Sequence, residues 1–151
     1  MLKTVNIQNK RARFEFEIID RYTAGIVLAG SEIKSIRLGK ASITESFCEF
    51  QNNELFAINT TIEEYMFSRN FGHTAKSERK LLLNRKELKS LEKSVQNQGL
   101  TIVPLRLFTD EKGRAKLEIA LCRGKKNYDK RETMKERDTK RDLDRIKKEF
   151  K

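Results

Sequence analysis

The sequence has no tryptophan, one proline, one histidine and two cysteines in 151 residues. Each scarcity removes a class of explanation. Cys48 and Cys122 stand far apart with no CxxC pairing, and His73 lies at no standard spacing from either, so a zinc site has no ligand set. Both cysteines are expected to be buried, reduced thiols. One histidine and no acid pair marked by its spacing leave little for nucleophilic, acid–base or metal catalysis. Neither an enzymatic activity nor a cofactor is expected. No segment approaches the roughly 18 to 20 apolar residues that cross a bilayer, and Met1 to Arg13 contains no signal-peptide apolar region. The expected compartment is the cytoplasm, without a membrane partner. Asn59-Thr60-Thr61 spells a glycosylation sequon, which means nothing without a secretory signal.

What the sequence has is charge, mostly of one sign. Lys and Arg number 33 against 22 Asp and Glu, a net charge of +11. Such a surface attracts polyanions, nucleic acid first and an anionic membrane surface second. Charged residues make up 36% of the chain, well above the usual quarter or so, so the core must be concentrated in part of it. From Arg123 to Lys151 there are 13 Lys or Arg and 7 Asp or Glu, which places +6 of the +11 there. Apolar residues are sparse in that stretch: Tyr128, Met134, Leu143, Ile146 and Phe150. Too little apolar area is available to offset the entropy of ordering. Leu143, Ile146 and Phe150 nevertheless share one helical face. The expectation is a folded body over 1–123 and a basic tail over 124–151, disordered alone and helical against a partner.

The body reads as short strands. Phe14, Phe16 and Ile18 alternate with Arg13, Glu15 and Glu17, a period of two that marks a strand. Asp20 to Thr23 reads as a turn and Ile26 to Leu28 as a second strand. Ser31 is a good N-cap for a short helix that buries Ile33 and Ile36 and stops at Gly39. Lys34 and Arg37 share its other face. Ile43 to Phe50 and Leu55 to Ile58 form a hairpin around Gln51-Asn52-Asn53. Ile62, Tyr65 and Met66 suggest a helical turn, followed by a polar loop from about Ser68 to Lys80. Leu81 to Leu83 is a short buried run with room for one residue to face outward. Asn84 and Glu87 form a capping box for a helix striped by Leu88, Leu91 and Val95 and ended by Gly99. Leu100 to Phe108 and Arg114 to Leu121 are paired strands, with Pro104 at an edge or bulge. The expected fold is mainly β with helices: an OB-like closed antiparallel barrel with two to three flanking helices. Phe14, Phe16, Phe47, Phe50 and Phe56 are expected in its core.

Any single Lys on such a surface is ordinarily a solvated charge. Lys125, Lys126, Lys130 and Arg131 stand together beside Tyr128, and an aromatic ring among cations suits stacking on a base or a guanidinium. These residues point to an RNA-seeking arm, with phosphate contacts supplying affinity without sequence readout.

The chain resembles the SsrA-binding protein family, SmpB, the partners of transfer-messenger RNA. The resemblance runs from Asn9 to about Arg141. It rests on the order and spacing of Asn9-Lys10-Arg11-Ala12, Ala24-Gly25-Ile26, the run from Gly30 to Gly39, Arg79-Lys80-Leu81-Leu82-Leu83, Thr101-Ile102-Val103-Pro104 and the run from Gly124 to Arg131. It implies an OB-type body that binds the tRNA-like domain of transfer-messenger RNA. It further implies delivery, with elongation factor Tu, to ribosomes stalled without a codon, where the stalled peptide is tagged for proteolysis. The tail is then expected to fold as a helix in the empty mRNA path, against small-subunit rRNA at the decoding centre. RNA binding is carried onto Asn9, Lys10, Arg11, Glu32, Lys34, Arg37 and Leu82. The decoding-centre role is carried onto Gly124, Lys125, Lys126, Tyr128, Asp129, Lys130 and Arg131. A monomer is expected. The alternative is a structural ribosomal or ribosome-assembly protein with a basic extension. The sequence departs from the family pattern at Thr23, where an acidic residue is usual, at Thr74-Ala75 in place of Asp-Pro, and at Ser77 in place of a frequent Arg. Tyr128 replaces a common His, which keeps a stacking ring and loses protonation near neutral pH.

Overall fold

The computed structural model describes residues 4–64, 74–96 and 99–124. Within them the chain is mainly β, with three helices. In order the elements are β1 (Asn6–Gln8), α1 (Lys10–Glu15), β2 (Phe16–Ile26), α2 (Gly30–Arg37), β3 (Ala41–Ser42), β4 (Phe47–Gln51), β5 (Glu54–Ile58), β6 (Thr61–Ile62), β7 (Arg79–Leu82), α3 (Arg85–Val95), β8 (Leu100–Thr109) and β9 (Ala115–Gly124). Seven strands form one antiparallel sheet in the order β1-β8-β4-β5-β7-β2-β9, and β9 also pairs with β8; β3 and β6 form a separate pair.

Alternation fixes which side chains line the interior. On β9, Leu117 and Ile119 are fully buried between the outward Lys116 and Glu118. Leu55 and Ala57 on β5, Ala24 on β2 and Leu107 on β8 join them, with Ile36 from α2 and Leu91 from α3 closing over the cluster. Burying one such Leu or Ile contributes about 1.5 to 3 kcal/mol. Leu117→Ala is therefore expected to cost about 2 to 5 kcal/mol of stability, read as a lower midpoint in urea unfolding.

Several local signals act as the sequence leads one to expect. Asn84 and Glu87 cap α3 reciprocally, the Glu87 N–H donating to Asn84 Oδ1 at 2.8 Å and the Asn84 N–H to Glu87 Oε1 at 3.2 Å. Asn52 and Asn53 both have positive φ, 50° and 65°, as a two-residue hairpin turn requires. Gly39 ends α2 at φ 75°; the N–H of Gly39 donates to Ile36 and that of Lys40 to Ser35, a Schellman closure. Pro104 sits where the β8–β9 register shifts, which spares the ladder its missing donor.

Other expectations are corrected. Residues 13–18 are not one strand: α1 occupies Lys10–Glu15 and β2 begins at Phe16. Ala12 of α1 packs with Val103, Leu105, Ala120 and Cys122 in a second cluster, with Phe16 and Ile18 beside it. β8 and β9 are thus buried on both faces there, and a helix covers the outer one. Asp20 to Thr23 is not a turn. β2 runs through it, paired with β9 from Phe16 to Gly25 and shifted in register between Ile18 and Asp20. The N-cap of α2 is Ala29, not Ser31, and its N–H donates to Glu32 Oε1 at 2.8 Å. Ile62 is a strand residue paired with Ala41, while Tyr65, Met66 and His73 lie outside the described residues. None of the five phenylalanines is fully buried and Phe47 is 38% exposed, though Phe50 packs partly buried against the main cluster and Phe16 against the second. Leu, Ile and Ala fill the interior, and Phe47 and Phe56 take the opposite face of their strands.

Cys48 and Cys122 are buried and unpaired with each other. Burial pushes the Cys122 thiol up to about 12 and the Cys48 thiol higher still. Neither is a nucleophile at neutral pH.

Candidate nucleic-acid interface

The outer face of β2, β9 and β8 gathers cations from distant parts of the chain. One cleft, about 660 Å³, is lined by Lys10 and Arg13 of α1, Arg21 of β2 and Arg106 of β8, with Glu118 of β9 among them. Arg106 Nε lies 2.7 Å and Arg21 Nη1 3.5 Å from the Glu118 carboxylate. The Arg106 guanidinium also stands 4.1 Å over the Phe108 ring. A second cleft, about 470 Å³, is lined by Arg37 of α2, by Lys112 and Arg114 of the β8–β9 turn and by Lys116 of β9, over an apolar floor that includes Leu28, Ile33 and Leu82. The clefts adjoin. Thr23 faces Glu118 and Gly25 faces Lys116 across the β2–β9 ladder, so their outward side chains are successive positions on one face.

Asp110 holds the β8–β9 turn in shape. Its Oδ1 accepts the N–H groups of Lys112 at 3.0 Å and Arg114 at 2.9 Å, and its Oδ2 accepts Arg114 Nε at 3.1 Å. The Arg114 backbone N–H is the foremost reason that its carboxyl titrates below the usual range. A lowered folded value means that this contribution is intact above the ordinary carboxylate range and is lost only as pH falls through the folded value. The turn therefore presents Lys112 and Arg114 in a fixed arrangement at neutral pH.

The sequence-derived body residues divide by what they touch. Asn9 and Lys10 line the first cleft, while Arg37 and Leu82 line the second. Leu82 is the outward member of its run, 52% exposed, against 2% for Leu81. It faces Gly25 across β7–β2, where an added Cβ would come within 3.3 Å of Leu82 Cβ. Arg37 Nη2 donates to Gly113 O at 3.2 Å, and its Nε is buried with no partner among the described residues. Lys34 is exposed on α2. Arg11 is exposed and held by Glu15 at 2.8 Å and Glu45 at 2.6 Å. Asn9 is buried; its Nδ2 donates to the carbonyls of Ile43 at 3.2 Å and Pro104 at 2.9 Å, and its Oδ1 accepts the Ala12 N–H. Glu32 is buried against Arg79.

Gly124 is the last residue of β9, paired with Phe16. A Cβ there would meet nothing within 4 Å, so close approach does not require its glycine. Lys125, Lys126, Tyr128, Asp129, Lys130 and Arg131 lie outside the described residues. Sequence reasoning missed Arg13, Arg21, Arg106, Lys112, Arg114 and Lys116 as members of one face. The outward positions on β9 were visible as alternation, but their meeting with α1, α2 and β2 is not. Among the described residues no group of three or more His, Cys, Asp or Glu could hold a metal ion, and no helix is long and apolar enough to cross a membrane.

Each cleft is lined by four cations, and Glu118 is the single acid among the lining residues. Fold and face together define a small, mainly β protein with a cationic outer surface, of the kind that attracts polyanions. The SmpB protein family model matches residues 6–149. The chain is 77% identical over 150 residues to the SsrA-binding protein of Flavobacterium johnsoniae, covering 99% of each chain. It is 60% identical to that of Christiangramia forsetii, over 100% of this chain and 96% of the relative. A solved chain described under "tmRNA-SmpB: a journey to the center of the bacterial ribosome" matches with a TM-score of 0.68 and 42% identity, over 81% of this chain and 85% of that one. The protein belongs to the SmpB family, the SsrA-binding proteins.

Proposed function

We propose that this protein binds the tRNA-like domain of transfer-messenger RNA with its β2–β9–β8 face and brings that RNA to stalled ribosomes, where its tail acts at the decoding centre. The observation that carries the reading is the full-length likeness to SsrA-binding proteins. The cationic clefts supply the physical means. Lys10, Lys34, Arg37, Lys112 and Lys116 meet phosphates, and Leu82 offers an apolar surface to a base or ribose. Glu32 holds this face from behind, and Asn9, at the first cleft, anchors the start of α1. Arg11, engaged by two carboxylates, lines a separate cleft with Phe47 and Thr101. The body is an OB-like closed barrel, a reading supported by the return pairing of β9 onto β8. The body spans 1–123 and the tail 124–151, a division supported by β9, which reaches Gly124. The protein acts as a monomer in the cytoplasm and contributes binding, not turnover.

The test is affinity for the tRNA-like domain against an unrelated folded RNA of the same length, across a range of salt. Preferential binding that weakens steeply with salt is expected. Equal affinity for both RNAs would remove the proposal. Tyr128 supplies a second check, on tagging activity. Tyr128→Phe is expected to keep most of the activity and Tyr128→Ala to lose it, because stacking needs the ring. Equal loss in both would assign the role to the hydroxyl.

A further inference from the structure

Arg79 on β7 is 3% exposed and spends its whole guanidinium on the protein. Nε donates to the Glu32 carboxylate. Nη1 donates to the carbonyls of Thr60 at 2.6 Å and Ser77 at 2.9 Å. Nη2 donates to those of Thr74 and Ala75, both at 3.1 Å. A guanidinium has five N–H groups in a fixed fork, and here each has its own acceptor. Glu32 is equally committed: one carboxylate oxygen takes Arg79 and the other takes the Ala29 N–H that opens α2. The Ala75 carbonyl also accepts the Ile62 N–H at 2.9 Å. One ion pair thus fastens four segments: α2, the link from β5 to β6, the turn at 74–77, and β7.

Two of those segments carry proposed RNA-facing residues. α2 bears Lys34 and Arg37, and β7 bears Leu82. A carboxylate facing RNA would repel phosphate; one buried on an arginine does not. We propose that Glu32 and Arg79 are positioning residues. Glu32 affects RNA binding only through Arg79, which sets α2 against β7 and holds the 74–77 turn. This inference rests on the RNA-binding reading for its consequence, but the clamp itself has an RNA-independent signature. Lys76 lies in the clamped turn and is exposed, so release of the turn opens the bond after Lys76 to trypsin.

The experiment compares the full chain with Glu32→Gln, Arg79→Lys and the double variant. Glu32→Gln keeps the shape and removes the charge. Arg79→Lys keeps the charge and cannot serve five acceptors, and it is milder than truncation. Two quantities are read: affinity for the tRNA-like domain at several salt concentrations, and the rate of tryptic cleavage after Lys76 in free protein, mapped by mass spectrometry. Each single variant is expected to weaken RNA binding by about tenfold, and the double variant by no more than the more impaired of the two singles. The slope of log affinity against log salt stays unchanged, since every phosphate keeps its cation. Cleavage after Lys76 speeds up in all three variants. Losses that multiply in the double variant would overturn the proposal, because Glu32 would then act on RNA independently of Arg79. Unchanged cleavage after Lys76 in both single variants would overturn the clamp. If the parent chain fails to prefer this RNA, the functional reading falls, while the cleavage rates still decide the clamp.

Discussion

Removing residues 125–151 is expected to abolish peptide tagging on stalled ribosomes while leaving affinity for the tRNA-like domain within about tenfold at 0.15 M salt. The division follows from the core of the described residues. Among the described residues, all the buried apolar residues of both clusters precede residue 123, and β9 pairs as far as Gly124 opposite Phe16. The removed segment carries 12 Lys or Arg and 7 Asp or Glu, so its loss lowers general attraction to RNA while the described lining of the two clefts stays in place. Truncation after Gly124 rather than Arg123 keeps the Phe16 partner in place. Tagging is measured with a reconstituted translation system and an mRNA lacking a stop codon. Collapse of RNA binding in parallel with tagging would place the main RNA surface in the tail.

The second large effect is on the body. Changing Lys10, Lys112 and Lys116 together to alanine is expected to weaken RNA binding by about one to three orders of magnitude at moderate salt. Every phosphate left without its lysine lowers the salt slope by about 0.7 to 0.9. The three lysines span both clefts, and surface changes of this kind alter stability by only about 0.5 kcal/mol each. Loss of affinity with an unchanged melting temperature is therefore the expected signature. Unchanged affinity would show that the RNA lies elsewhere on the body. The same variant tests the arrangement as a face rather than as scattered charges, because the slope reports how many phosphates the protein neutralises at once.

What the sequence made legible was local. The α3 capping box needs only Asn84 and Glu87, three residues apart. The Asn52-Asn53 turn declares itself through residues that tolerate positive φ. β8 and β9 follow from alternation. What stayed hidden depended on distant partners. Phe14, Phe16 and Ile18 do alternate, yet α1 forms because Asn9 is anchored to the carbonyls of Ile43 and Pro104 and because Val103, Leu105, Ala120 and Cys122 need a cover. The polar run at Asp20 to Thr23 looks like a turn, and pairing with β9 overrides its composition. The site divides in the same way. Basic residues were visible as a class, but the meeting of Lys10, Arg37 and Lys116 on adjoining clefts is a product of topology.

The roles of Asn9 and Glu32 were the least accessible to residue-type reasoning. Both are polar side chains turned inward, and neither is recognisable as such without its partners. Arg79 acts in the same hidden way. It binds the carbonyls of Thr74, Ala75 and Ser77, which any residue supplies, so this contact is not written in the side chains at those positions.

The central claim is that this protein serves transfer-messenger RNA rather than the ribosome as a permanent component. Sequencing the RNA that copurifies with the full chain from cells tests it most directly. Transfer-messenger RNA is expected to dominate the bound pool, with rRNA rising only when stalled ribosomes accumulate. Constant, stoichiometric rRNA without enrichment of transfer-messenger RNA, in stalled and unstalled cells alike, would contradict the account.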